Sequence, residues 1–396
     1  MTSGARLILG RGLRGFVDGI VSVLLASYLT LLGFTPFEVG AIVTATLVGS
    51  AVVTIMVGLG GHRVSRKAVL LAACALMTVT GIAFGELREF WPLLVVAFVG
   101  TLNPSSGDVS VFLPVEQAAL AEITPAEQLT HRFARYNLSG TIAGAAGALA
   151  SGVPDLLARA RYLDAIDALR VGFILYAIVA IAIAALYRGL TPAIEHSGPA
   201  VTAPLASSRS LVLRLAVLFS LDSFGGGFAV QSLVVLWLAR RFELSIAVIG
   251  LVFSISGLLA AFSQFASAYL AARIGRIRTM VYTHLPANAF LVLAGIMPRA
   301  DLAIGCLLLR MALSQMDVPA RQSYVMAIVP PAERAAASSV TNVPRSLATA
   351  LSPLLAGMML ERSSFGWPLV VGGLLKACYD LLLLAQFRSI KPAGEP

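Results

Sequence analysis

Twelve apolar runs, most of them about 20 residues long, repeat along this chain. They fall at 12–33, 37–60, 68–87, 91–121, 133–153, 169–187, 210–238, 245–272, 278–297, 302–327, 335–359 and 366–387. A helix needs about 20 apolar residues to cross the hydrocarbon core of a bilayer. Only helices and closed barrels can satisfy their backbone there without water. The runs therefore predict an all-α integral membrane protein with twelve transmembrane helices. Composition agrees: 58% of residues are hydrophobic and 12% are charged, about half the charged share of a soluble domain.

The net charge of +9 raises nucleic acid as a partner, but no Lys/Arg run with interleaved aromatics occurs. The cations sit in short clusters between spans, which is a topology signal. With the N-terminus in the cytoplasm, nineteen of the 29 cations lie in or beside cytoplasmic loops. Eight lie on the opposite side, and Arg310 and Lys376 lie within spans. That bias predicts both termini inside. Only Lys67, Lys376 and Lys391 are lysine, as a GC-rich bacterial genome would produce, so the expected location is a bacterial inner (plasma) membrane. The opening MTSGARLILGRGLRGF has no small-residue cleavage site, so the first span is read as retained. Cys74, Cys306 and Cys378 are odd in number and make no CxxC or Cys/His spacing, which predicts neither disulfides nor a metal site.

The connections are short except 188–209, RGLTPAIEHSGPAVTAPLASSR, which separates six spans from six. The halves repeat. FEVGAIVTATLVGS (37–50) resembles IAVIGLVFSISGLL (246–259), and VEQAALAEITPAE (115–127) aligns with ARQSYVMAIVPPAE (320–333). Asp18 and Asp222 fall 204 apart, and Asp108 and Asp317 fall 209 apart. Duplication of a six-span unit explains this. The expected domains are an N-terminal bundle at 1–187, a central cytoplasmic loop at 188–209 and a C-terminal bundle at 210–396.

In its twelve spans, six-plus-six repeat, central loop and basic turns after spans 2 and 8, the chain resembles the major facilitator superfamily of transporters. The family's span 2–3 loop reads G-x-x-x-D-[RK]-x-G-[RK]-[RK]. Here GLGGHRVSRK (58–67) has His62 at the acidic position, and the second copy, AYLAARIGRIR (268–278), has Ala272 there. The Gly-rich signature of the drug/proton antiporter branch is not met by GTIAGAAGALASG (140–152), so no subfamily is assigned. The resemblance implies two pseudo-symmetric six-helix bundles, a monomer, a small-molecule substrate, surrounding membrane lipid and no cofactor other than a coupling proton. It also implies that spans 1, 4, 7 and 10 line a central cavity.

Each of those four spans carries one acid: Asp18, Asp108, Asp222 and Asp317. An ionisable residue at membrane depth is a functional candidate by default. The polar stretch TLNPSSGDVSVFLPVEQ (101–117) in span 4, with Asn103 and Asp108, is read as a face turned to water and substrate, bent by Pro104, Gly107 and Pro114. Arg310, Ser314, Asp317 and Arg321 form one stripe at ~100° per residue. Asp108 and Asp222 have no cation within one turn, which makes them the expected proton-coupling acids. Asp18 can pair locally with Arg14, Asp317 with Arg321, and Lys376 with Asp380. Arg310 is the candidate anchor for an anionic group. Glu116, Arg345, Arg66 and Arg321 are candidate gate or salt-bridge residues, with Glu116 and Arg345 expected to pair in place of the latch that His62 breaks. His284 is read as packed scaffold.

Ser106-Gly107-Asp108 only partly matches an intramembrane aspartyl protease signature, and HExxH, GxSxG and Walker motifs are absent, so no catalytic residues are expected. The expected function is a proton-coupled secondary transporter of a small cationic or zwitterionic organic solute, working by alternating access with efflux favoured. The alternatives are a transporter of an amphipathic or lipid-like anion, and a sensor of the same fold that binds without transport.

Overall fold

The apolar runs become helices. The computed structural model describes residues 1–60, 64–105, 110–125, 128–160, 162–195, 205–206, 208–330, 333–388 and 390. In chain order the helices are α1 (Ser3–Leu31), α2 (Pro36–Gly60), α3 (Arg66–Glu86), α4 (Phe90–Val99), α5 (Phe112–Glu122), α6 (Leu129–Ala150), α7 (Gly152–Arg159) and α8 (Ala165–Arg188). They continue as α9 (Arg209–Gly227), α10 (Gln231–Phe242), α11 (Ile246–Ile274), α12 (Arg276–Ile296), α13 (Ala300–Ser314), α14 (Asp317–Ile328), α15 (Arg334–Arg362) and α16 (Trp367–Phe387). Among the described residues there is no strand, and eleven candidate membrane spans stand beside the shorter apolar helix Phe90–Val99.

Runs 4, 7 and 10 are each broken into two helices. Between α4 and α5, Asn103 Oδ1 accepts from the Ser105 backbone N–H (3.1 Å) and hydroxyl (3.0 Å), forming a turn that stops the helix. The carbonyl of Pro104 accepts from the Ser232 hydroxyl at 2.7 Å and the Ser232 backbone N–H at 3.1 Å. Irregular backbone at this depth survives because protein donors take the place of water.

The chain divides into two compact units, Met1–Gly198 with Val230–Ser254, and Pro199–Ala229 with Ile255–Pro396. The segment 230–254 packs with the first unit because Ser232 and Gln231 bond to it: Ser232 Oγ also donates to Ser22 O (3.0 Å), and Gln231 Nε2 donates to Ser22 Oγ (2.9 Å). Within the first unit, α1 and α6 approach through small residues. A Cβ on Gly147 would stand 1.9 Å from Phe16 O, and one on Gly19 would stand 2.2 Å from Gly144 O.

Each unit repeats the other's buried faces in register. The buried Phe112, Val115, Glu116, Ala119 and Leu120 of α5 coincide, at a shift of 205, with Asp317, Ala320, Arg321, Tyr324 and Val325 of α14. On α8, Gly172, Tyr176 and Ala180 coincide with Gly372, Lys376 and Asp380 of α16 at a shift of 200. Cys74 and Gly85 of α3 match His284 and Gly295 of α12 at 210. Asp18 of α1 matches Asp222 of α9 at 204. In this register the counterpart of Asp317 is Phe112, which replaces the spacing of 209 to Asp108.

Candidate functional site

In the first unit the polar centre is built on Glu116, which is fully buried. Arg14, four residues before Asp18 on α1, grips it with both guanidinium nitrogens, Nη1 to Oε1 at 2.5 Å and Nη2 to Oε2 at 2.8 Å. The hydroxyls of Tyr136 on α6 and Tyr187 on α8 donate to the same carboxylate. Arg14 also lies 4.5 Å from the centroid of the Phe112 ring, and Arg11 lies 5.7 Å from that of Tyr136. Four donors on one carboxylate satisfy a charge that would otherwise be costly to bury. Glu116 is thus a lock between α1, α5, α6 and α8 and has no exposed face.

Asp18, one turn further along α1, is buried at 3% exposure. Arg14 is committed to Glu116, and Asp18 Oδ1 has no hydrogen-bond partner. The local Arg14–Asp18 pairing read from the sequence is replaced by the cross-helix pairing with Glu116, because a bidentate partner with two tyrosine donors offers more bonds.

In the second unit Asp222 is surrounded by basic side chains. Lys376 Nζ on α16 stands 2.5 Å from Oδ1, Arg321 Nη1 on α14 stands 3.3 Å from Oδ2, and His284 Nε2 on α12 stands 3.8 Å from Oδ1. Arg321 Nη1 also bonds Asp317 Oδ2 at 3.1 Å, as the stripe on run 10 predicts. Asp380 accepts from Asn288 Nδ2 at 2.8 Å and contacts His284 Nδ1 at 2.9 Å. Lys376 and Asp380 therefore take partners on other helices and not each other, and Asp222 has cross-helix cations that i,i+4 reasoning could not see.

Arg345 on α15 donates from Nε to Ser223 Oγ and from Nη1 to Asn342 Oδ1, both at 3.1 Å. Glu116 and Arg345 thus each find these partners within their own unit. Arg310 Nη1 has a Met311 sulfur acceptor at 3.2 Å, and its buried Nε has no partner. Arg66 bonds Glu122 Oε2 at 3.1 Å and Ile194 O at 2.6 Å. Asp108 and His62 lie outside the described residues. The residues that sequence reasoning underrated are Tyr136, Tyr187, Lys376 and His284. A polar group on the buried stripe of a scaffold helix was the available signal for each.

A two-fold repeated, all-helical chain with charges buried between its helices is a multi-pass membrane protein of the transporter type. The family model of the Major Facilitator Superfamily matches residues 7–238 and 215–395, so the chain belongs to that superfamily of alternating-access transporters. It is 26% identical over 411 residues to an uncharacterised membrane protein of Saccharomyces cerevisiae, covering 94% of this chain and 91% of that one. Among solved structures it is similar to a bacterial homologue of the human lysosomal transporter Spinster (TM-score 0.79, 13% identity, 99% of this chain and 98% of that chain). It is also similar to the nucleoside transporter NupG (TM-score 0.73, 13% identity, 98% and 100%) and to the xylose transporter XylE from E. coli (TM-score 0.73, 16% identity, 98% and 96%). The family and fold are those of transporters and not of enzymes.

Proposed function

We propose that this protein is a proton-coupled antiporter that exports a small cationic or zwitterionic organic solute across the cell's inner membrane, with both termini cytoplasmic. The observation that carries this reading is an under-used buried charge, Asp18 Oδ1, which has no donor among the described residues. Glu116, Asp222, Asp317 and Asp380 already contact basic side chains. A proton or a substrate ammonium added at Asp18 Oδ1 breaks no existing bond. One carboxylate oxygen cannot hold both, so the two exchange, and an inward proton gradient moves the solute outward. The excess of cations beside the loops assigned to the cytoplasm supports the orientation.

Arg310 supports a second reading, an amphipathic anion as substrate: the acceptor at its Nη1 is a thioether, and its buried Nε has no partner among the described residues. The test is solute-driven proton movement in proteoliposomes across zwitterions, organic cations and amphipathic anions. Zwitterions or organic cations should move protons, and Asp18→Asn should abolish the coupling in a protein that still folds. Movement of anions alone, or an Asp18→Asn variant that exchanges at the parent rate, overturns the proposal.

A further inference from the structure

His284 is buried at 3% exposure on α12, between two carboxylates from different helices. Nδ1 lies 2.9 and 3.1 Å from the two oxygens of Asp380, and Nε2 lies 3.8 Å from Asp222 Oδ1. A neutral imidazole has one N–H. If Nδ1 spends it on Asp380, a bare Nε2 lone pair faces Asp222. The Asp222 oxygen it faces is the one Lys376 Nζ holds at 2.5 Å, and Lys376 Nζ also has the Asp222 carbonyl oxygen within 3.4 Å.

The remaining groups around this centre are Asn288 on the same helix and Tyr379 on α16, whose ring stands edge-on to the imidazole at 6.1 Å. From α14 come Arg321 and Asp317, from α15 comes Arg345, bonded to Ser223 beside Asp222, and α13 carries Arg310.

The first unit provides an internal comparison. At the positions matching Asp222, His284, Lys376 and Asp380 it has Asp18, Cys74, Tyr176 and Ala180, all buried. The same helix contacts are therefore filled with one charge in place of four ionisable groups. Packing does not require the histidine, the lysine or the second aspartate.

We propose that His284 is a second proton-binding site of this protein, in which the imidazolium and the Lys376 ammonium compete for Asp222 Oδ1. A proton arriving from water adds to Nε2, while the Nδ1 proton stays on Asp380. The new Nε2–H donates to Asp222 Oδ1, and Lys376 shifts toward the Asp222 carbonyl that already lies in its reach. Loss of the proton reverses the exchange. One proton is bound and one released per cycle, and no covalent bond between heavy atoms changes. The site's use in transport rests on the proposed antiport, but its existence does not.

The test reads the ring directly. Replacing His62, His131 and His196 with Gln leaves His284 as the only histidine, and ¹⁵N-histidine magic-angle-spinning NMR in lipid follows its nitrogens from pH 5 to 9. The parent ring should change charge within that range. Lys376→Met should raise the share of charged ring at a given pH, since it removes a competing cation, and Asp380→Asn should lower it. A ring that keeps one charge state from pH 5 to 9 overturns the proposal, as does a charged share that Lys376→Met leaves unchanged. In proteoliposomes His284→Gln should lower the protons moved per solute from two to one. That count fails together with the antiport reading, whereas the ring titration does not.

Discussion

Glu116 and Arg321 occupy one position of the repeat with opposite charge, and each binds the leading helix of its own half. Glu116 takes Arg14 on α1, and Arg321 takes Asp222 on α9. The tie between the first and fourth runs is kept while its polarity is reversed. Breaking a buried pair leaves an uncompensated charge at a cost of about 3–5 kcal/mol. Arg14→Ala and Glu116→Gln should each lower stability by that order, read from unfolding in detergent. Because both remove one contact, the double variant should lose much less than the sum. Simple additivity would show that the two residues are energetically independent.

The partners of Glu116 and Arg345 give the opposite expectation for that pair. Glu116 is bonded to Arg14, Tyr136 and Tyr187, and Arg345 to Ser223 and Asn342. With no shared partner among the described residues, their effects on labelling of a cysteine placed in a Cys-free background should add within about 0.5 kcal/mol. A double variant no faster than either single one would show a direct gate between them.

Glu195 gives a pH prediction outside the spans. Its carboxylate sits at the N-terminus of α3, where Oε1 accepts from Ser65 Oγ (2.6 Å) and Oε2 from the Arg66 backbone N–H (2.7 Å). Partial burial opposes the charge, but these bonds, with the Lys67 N–H and the Arg66 cation, hold the carboxyl below its ordinary 4.5. A lowered folded value means the contribution is fully present above 4.5 and is lost as pH falls through the folded value. Glu195→Gln should increase amide exchange at Arg66 and Lys67 at pH 7, by an amount equivalent to about 0.3–1 kcal/mol. In the parent the same protection should fall only in acid. Equal exchange in the two proteins at pH 7 would remove this role.

Gly147 tests the α1–α6 approach. A side chain there meets backbone, which cannot rotate away, at 1.9 Å from Phe16 O. Gly147→Ala should destabilise by about 1–3 kcal/mol through overpacking, seen as a lower melting temperature. Gly33, whose added Cβ would have nothing within 4 Å but whose φ is +90°, should suffer on substitution only from its backbone conformation. An unchanged melting temperature for Gly147→Ala would mean that the helices separate freely.

Arg310 separates charge from geometry. Arg310→Lys keeps a cation and loses the planar fork of donors. If a carboxylate of the solute binds there, Arg310→Lys should weaken its affinity by roughly tenfold, about 1.4 kcal/mol, and Arg310→Ala should weaken it further. Unchanged affinity in both variants would place the anionic group elsewhere.

The periodic apolar runs were sufficient to give the all-helical membrane architecture, because a bilayer leaves a 20-residue apolar segment almost no alternative to a helix. The duplication was legible too, in the pairing of Asp18 with Asp222 and in the repeat around Glu116 and Arg321. Local pairs one turn apart were visible where the helix itself sets the geometry, as for Asp317 and Arg321. The choice among partners was not visible. Arg14 sits one turn from Asp18 yet binds Glu116, 102 residues away, and Lys376 sits one turn from Asp380 yet binds Asp222, 154 residues away. A sequence specifies which residues share a helix face, but which face meets which is decided by packing. In a low-dielectric interior, the partner that completes the most hydrogen bonds wins over the nearest one along the chain.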